Sequence, residues 1–248
     1  MISAPSPTTL PSPAPPTADA LPPDKTPPRS RRRWVRRVVA TLLLSVIGYA
    51  LLWGGVAGGI LLVSAWARDD HISSGQRTAA GINHFLRVDA KVWRGSAPNS
   101  AGYRELAHQG IRTVVDLRAE KMSAHGRSLP AQAGLTAVRL PIRDGQTPTE
   151  RQVDTFLKAV RQSPGPVYVH CGAGVGRTGA MSAAYLVGTA QATSEQAAKR
   201  NLAVGPPSVE QIYYALNVSA DKADNQPPDL IKALSRALDA PRRILSYL

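Results

Sequence analysis

The chain has 248 residues, 43% of them hydrophobic, 21 prolines, a single cysteine and a formal net charge of +13. That length sustains one domain of ordinary size once an atypical amino-terminal portion is set aside, and one cysteine excludes both an intramolecular disulfide framework and any multi-cysteine zinc or iron–sulfur site. The charge divides as +5 over residues 1–67 and +8 over residues 68–248, which favours anionic partners such as phosphate esters or else a solvated basic surface.

Residues 1–28, rich in proline and almost free of large apolar side chains, cannot bury enough surface to offset the entropy of ordering, so they are expected to be disordered or extended. Together with the basic run "RSRRRWVRR", they form an amino-terminal segment over 1–37. Val38 to Trp66 carry no charge, and 38–67 is long enough to cross a bilayer, which takes about 20 apolar residues. The arginines crowd the amino-terminal flank, whereas the other flank reads "ARDDH", so the positive-inside bias retains the amino terminus in the cytoplasm and places the rest outside. Two processed alternatives, and a cytoplasm-facing domain, stand beside an uncleaved single-pass anchor in the cell membrane. "SRRRWVR" resembles a twin-arginine export signal, and "SAWA" resembles a small-residue cleavage site.

A polar linker follows over 68–83, and a globular domain is expected from about His84 to residue 220. "KVWRG", "RTVVDLR" and "TAVRLPI" read as strands. Between the first two lies a helix over 101–109, capped by Ser100 and ended by Gly110. Thr147 and Glu150 form a capping box, with Pro148 at the first position of a helix whose Val153, Phe156, Leu157 and Val160 share one face. "VYVH" is a buried strand, and "RTGAMSAAYLVGTA" a helix rich in small residues. Ser208 and Gln211 make a second box ahead of a helix with Val209, Ile212, Tyr213 and Leu216 on one face. Leu230, Leu234 and Leu238 mark a last helix in a carboxy-terminal extension over 221–248.

Between the strand ending at His170 and the helix beginning near Arg177 lie Cys171, Gly172, Ala173, Gly174, Val175 and Gly176. A tight loop with three glycines can turn its N–H groups inward and, with the start of the following helix, cradle a tetrahedral dianion. The same field stabilises a thiolate, which makes Cys171 a candidate nucleophile. Arg177 can hold two phosphate oxygens with its planar fork. Thr178 can donate a hydrogen bond to the thiolate, and His170 reads as a positioning residue.

"HCGAGVGRTG" resembles the signature of the cysteine-dependent phosphatases of the tyrosine and dual-specificity superfamily, with cysteine, five residues, arginine and threonine in register. "VWRGSAPNSAGYRELAHQGIRTVVDLR" is similar to the start of compact dual-specificity domains, so the likeness covers about residues 84–220. It implies an α/β fold in which helices flank a central twisted sheet, here preceded by one membrane helix. It also implies hydrolysis of phosphate monoesters through a phosphocysteine with no metal or other cofactor. The family carries its general acid on a loop upstream of the cysteine, and "LPIRDGQTP" puts Asp144 there. An aspartate before glycine is also an ordinary turn residue. Asp116 and Arg118 read as structural residues at a strand end, and Asp154 as solvent-facing. Arg94 matches a recurrent family position that packing, ion pairing or substrate contact explains equally.

The expected partner is a phosphorylated substrate, with phosphotyrosine or a mixed phosphoprotein favoured. Phosphoinositide phosphatases of the superfamily often carry lysines where this loop has Gly172 and Val175. The basic domain and "AGVGRT", which resembles the loop of bacterial cysteine phytases, keep an inositol polyphosphate open, and a membrane tether keeps a lipid phosphate open. No nucleic-acid partner is expected. Two other classes remain: a rhodanese-like sulfurtransferase, in which Asp144 has no role, and a non-catalytic phosphate-binding module.

Overall fold

A computed structural model describes residues 29–69, 72–221 and 225–245. The proline-rich segment 1–28 lies outside the described residues. The chain divides into two units, Met1–Tyr49 and Ala50–Leu248. The described part of the first is the beginning of helix α1 (Arg29–Asp69), so Arg29 to Arg37, grouped above with the amino-terminal segment, are helical turns. Within α1, Arg32–Arg68 has a mean hydropathy of 2.0 in its most apolar window, none of which is buried by the rest of the chain. At 1.5 Å per residue this exceeds the roughly 30 Å of a hydrocarbon core. A membrane span and an amino-terminal signal both meet that description.

The second unit is built on a five-stranded sheet. Its strands are β1 (Leu86–Arg87), β2 (Val92–Gly95), β3 (Thr113–Arg118), β4 (Thr136–Ile142) and β5 (Val167–His170), in spatial order β1-β2-β5-β3-β4. All pairs are parallel except β1 with β2. Helices connect and cover the sheet: α2 (Ser100–His108), α3 (Ala124–Gln132), α4 (Glu150–Gln162), α5 (Gly176–Gly188), α6 (Ser194–Val204), α7 (Val209–Asn217) and α8 (Asp229–Leu245). The three central strands β2, β5 and β3 are covered on both faces, so "VYVH" is buried throughout and its alternation sorts side chains between two cores. Val167 and Val169 join Val115, Leu117, Phe156 and Met181 on one face, and Tyr168 joins Ile82, Trp93, Leu106 and Val114 on the other.

Several local expectations shift by a residue or a face. The cap of α2 is Asn99, whose Oδ1 accepts from the Gly102 N–H at 2.8 Å; Ser100 is already helical. The box of α4 is Thr149 with Gln152, shifted in register from the Thr147–Glu150 pair that satisfies the same pattern. Thr147 is buried instead, its hydroxyl directed to Gln226. Gly126 and Pro130 conceal α3, which Ser123 caps. The linker is partly structural, since Gln76 and Phe85 exchange backbone hydrogen bonds and Ile82 is a core residue.

The largest correction concerns α7. Its Ser208–Gln211 box forms as expected, but the buried face is Glu210, Gln211, Tyr214 and Ala215, while Leu216 is 45% exposed. Apolar periodicity chose the opposite side because two of the four inward positions, Glu210 and Gln211, carry polar side chains. Chemical denaturation of the full chain in zwitterionic micelles should therefore find Leu216→Ser within about 0.5 kcal/mol of the parent. Tyr214→Ala should lose roughly 3–5 kcal/mol.

Candidate active site

The carboxyl ends of the four parallel strands converge on one edge, where ligands bind in open α/β sheets. Central β5 ends at His170, which registers with Gly95 on one side and Asp116 on the other. Cys171 follows immediately and is 3% exposed, beneath the exposed Gly172 and Ala173.

The loop's shape is fixed from outside by its carbonyls. Gly172 O accepts from the Ala97 N–H at 3.0 Å. Ala173 O accepts from His84 Nδ1 at 2.9 Å. Gly174 O and Val175 O both accept from Arg94 Nη2, at 2.9 and 3.1 Å. In a trans peptide the C=O of one residue points opposite to the N–H of the next. Four successive outward carbonyls therefore turn the N–H groups of Ala173, Gly174, Val175 and Gly176 inward, over Cys171. Gly174 takes φ +79°, and a Cβ there would strike the Gly95 backbone, so no other residue fits. A Cβ at Gly176 would meet the Gln211 side chain.

Two of these ties were not legible as such. Arg94 is 3% exposed, so its role is to position the loop from within the protein. His84, read only as the start of the domain, holds φ +52° while its ring reaches Ala173 across 89 residues of sequence. A non-glycine residue in that region marks local strain held by its surroundings.

Arg177 is 4% exposed and already gripped. Its Nη1 and Nη2 donate to the two oxygens of Glu120, each at 2.8 Å, Nη1 donates to Ile142 O at 3.0 Å, and Nη2 lies 3.4 Å from Asp144 Oδ1. Burial opposes the charge of Arg177, but the bond to Glu120 and the charges of Cys171 and Asp144 prevail and make the guanidinium more basic. Hydrogen bonding from Arg177 in turn holds Glu120 below the usual carboxylate range. Glu120, a further site residue, follows β3 in "DLRAE" and carries no motif of its own. Arg177 Nε and Thr178 Oγ are both buried without a protein partner.

Asp144 stands on the turn after β4 with its carboxylate half exposed, beside Arg177. The turn is anchored from beneath by α7. Ser208 Oγ donates to Gly145 O at 2.7 Å, and Gln211 Nε2 donates to Gln146 O at 2.9 Å. Gln211 thus touches both the Asp144 turn and Gly176 of the cysteine loop. Asp116 is engaged elsewhere: Arg118 grips it with Nε at 3.0 Å and Nη2 at 2.9 Å. Burial raises its pKa, but the Arg118 bonds outweigh that and hold it low, so it is a fixed anion. Asp154 is exposed on α4.

His170 is fully buried. Its Nδ1 donates to Cys171 O at 3.2 Å, which leaves Nε2 to accept from the Tyr103 hydroxyl at 3.5 Å. Burial drives its pKa from 6.5 down to about 4, with the Asp116 charge opposing. Between those values the unfolded chain binds a proton that the folded chain refuses, so stability is complete above pH 6.5 and declines as pH falls toward 4. Denaturation across that window should show a loss of about 3 kcal/mol in the parent. His170→Gln should flatten that dependence, and an equally steep profile in this variant would assign the loss to other groups.

The model of a family described as "Polymorphic toxin system, DSP-PTPase phosphatase" matches residues 88–191. Among curated proteins, the chain is 38% identical over 95 residues to NAD kinase 2, chloroplastic, of Arabidopsis thaliana, a match spanning 36% of this chain and 10% of that one. It is 38% identical over 77 residues to the tyrosine-protein phosphatase cdc-14 of Caenorhabditis elegans, spanning 31% and 10%. The chain thus covers about a tenth of the length of these relatives. Among solved structures, a variant of P. aeruginosa TpbA in complex with pTyr aligns at 19% identity and TM-score 0.45, covering 64% of this chain and 98% of that one. The catalytic core of the PP-IP phosphatase SIW14 of S. cerevisiae, in complex with citrate, aligns at 15% identity and TM-score 0.47, covering 64% and 92%. The family match spans the strands β2 to β5 and the cysteine loop that form this site, so over residues 88–191 the chain is similar to the dual-specificity and tyrosine phosphatases.

Proposed function

We propose that a domain over about residues 84–220 hydrolyses phosphate monoesters through a phosphocysteine on Cys171. The observation that carries this reading is the set of outward-tied carbonyls from Gly172 to Val175, which leaves four inward N–H groups above a buried sulfur. Such a cradle stabilises both a thiolate and the equatorial oxygens of a transferring phosphoryl group. Fixed dipoles and the Arg177 charge supply that stabilisation, so the reaction as proposed calls for no metal.

The thiolate of Cys171 attacks phosphorus, and the bond to the leaving oxygen breaks as that oxygen takes the proton of Asp144. Water then attacks the phosphocysteine. Asp144, now a carboxylate, takes a proton from that water while the P–S bond breaks, releasing phosphate and restoring the thiolate. Arg177 binds phosphate oxygens through Nε and, when the fork moves off Glu120, through Nη2. Thr178 donates its unpaired hydroxyl to the departing sulfur, and His170 holds the Cys171 carbonyl.

The favoured substrate is a phosphotyrosyl or mixed phosphoprotein. Gly172 and Val175 add no cation to the loop mouth for a polyanionic head group, and the cdc-14 relative is named a tyrosine-protein phosphatase. Relative rates on a phosphopeptide, inositol hexakisphosphate and a lipid phosphate rank the substrates of the same chemistry. The α1 span anchors the domain as a single-pass protein, and six arginines on its amino-terminal side favour an extracytoplasmic domain.

The full chain should hydrolyse an aryl phosphate in EDTA, and Cys171→Ser should lower the rate by at least roughly 10³-fold. A rate kept by the variant would remove Cys171 from the mechanism. Asp144→Ala should cost on the order of 10²-fold on phosphotyrosine and much less on an activated nitroaryl phosphate. Equal losses on the two would count against Asp144 as the acid.

A further inference from the structure

A cavity of about 380 Å³ opens between β1, β2, α5 and α6. It lies against Arg94 and Asn201, which are 3% and 2% exposed. Its remaining walls are mostly apolar, including Leu86, Val88 and Leu186, and the exposed side chain of Arg200 belongs to its rim.

The chemistry of the two buried polar residues is one-sided. Arg94 donates Nη2 to Gly174 O, Val175 O and, at 3.3 Å, to Asn201 Oδ1. That last bond fixes the Asn201 amide, with its oxygen on the guanidinium and its nitrogen turned elsewhere. Asn201 Nδ2 and Arg94 Nε are then both buried donors without acceptors. Among the described residues no carboxylate pairs with Arg94, whose acceptors are all neutral. Burial pulls this guanidinium down to about 10, against the pull of Cys171 and Tyr168. A buried charge with no carboxylate partner and with unsatisfied donors beside it is costly in a native core. What would complete the group is an acceptor of negative charge, and what would fill the cavity is apolar. Its volume lies within the range of metabolite pockets.

We propose that this cavity is a second ligand site, which takes a compact amphipathic anion with its carboxylate or phosphate group on Arg94 and Asn201 and its apolar body against Leu86, Val88 and Leu186. Arg94 also shapes the cysteine loop, so a bound anion draws Nη2 away from the Gly174 and Val175 carbonyls and loosens the cradle. The ligand is therefore an inhibitor that does not compete with substrate. This regulatory consequence rests on the phosphatase reading, whereas the binding does not.

The test uses the full chain in nanodiscs of zwitterionic lipid, with 4-(trifluoromethyl)benzoate as probe followed by ¹⁹F NMR. The expected result is saturable binding of one benzoate per chain that survives saturation of the catalytic loop with tungstate. The neutral 4-(trifluoromethyl)benzyl alcohol should not bind. Asn201→Asp supplies an internal counter-ion to Arg94 and should weaken the benzoate by about tenfold or more, given what a hydrogen bond to a charged group is worth. Ala183→Leu should fill the cavity with a similar loss, and Ala197→Leu fills it from α6 if that variant does not fold. Benzoate should lower kcat for an aryl phosphate without raising KM. The proposal is overturned if no saturable binding occurs, if the alcohol binds equally, or if tungstate displaces the benzoate. Unchanged affinity in Asn201→Asp, or a rise in KM alone, would overturn it as well. The ¹⁹F readout does not require turnover, so an inactive enzyme leaves the binding test intact.

Discussion

The site depends on holding four consecutive peptide carbonyls away from its centre. Peptide groups cannot point both poles in one direction, so each outward tie creates one inward donor. The ties come from an amide after β2, an imidazole before β1 and a guanidinium within β2, whereas the loop itself follows β5. Parallel pairing of β2 with β5 makes this possible, because Gly95 registers with His170 and brings the two strand ends side by side. Gly174 then lies so close to Gly95 that a Cβ on it would strike the Gly95 backbone. Fold and chemistry meet in that contact.

Charge is balanced around the loop in an uneven way. Arg177, in front, carries a carboxylate partner in Glu120 and a second in Asp144, and both anions make its positive form more secure. Arg94, which holds the loop from within the protein, has only neutral acceptors among the described residues. Beneath the cysteine, His170 is kept neutral by burial and adds no positive charge there across the physiological pH range. In the proposed reaction phosphate oxygens compete with the Glu120 carboxylate for the Nη donors of Arg177, while its Nε is left without a partner. That arrangement keeps a buried guanidinium ordered and compensated between encounters with substrate.

What the sequence disclosed was local in the chain. Cys171, Arg177 and Thr178 sit within eight consecutive positions, and the strand–loop–helix order around them can be read from "VYVH" and the small residues that follow. Asp144 was legible because a turn after a strand has its own composition. Glu120, His84 and the role of Arg94 were not, since their partners lie 57, 89 and 80 residues away and nothing in their immediate neighbours marks the contact. The face of α7 was misjudged for a related reason. Gln211 is inward because it joins the Asp144 turn to its own helix start, and hydropathy has no means of scoring a buried glutamine whose bonds are made in tertiary structure.

The central claim is that phosphate passes through Cys171. Rapid quenching of the full-length Asp144→Ala chain during reaction with an activated nitroaryl phosphate, followed by mass spectrometry of its peptides, tests that claim directly. Protonation of the leaving group is not needed with such a substrate, whereas water activation in the second step is, so the account predicts phosphate accumulated on the peptide that carries Cys171. Product released with no phosphate on that peptide, or phosphate found on another residue, would contradict it.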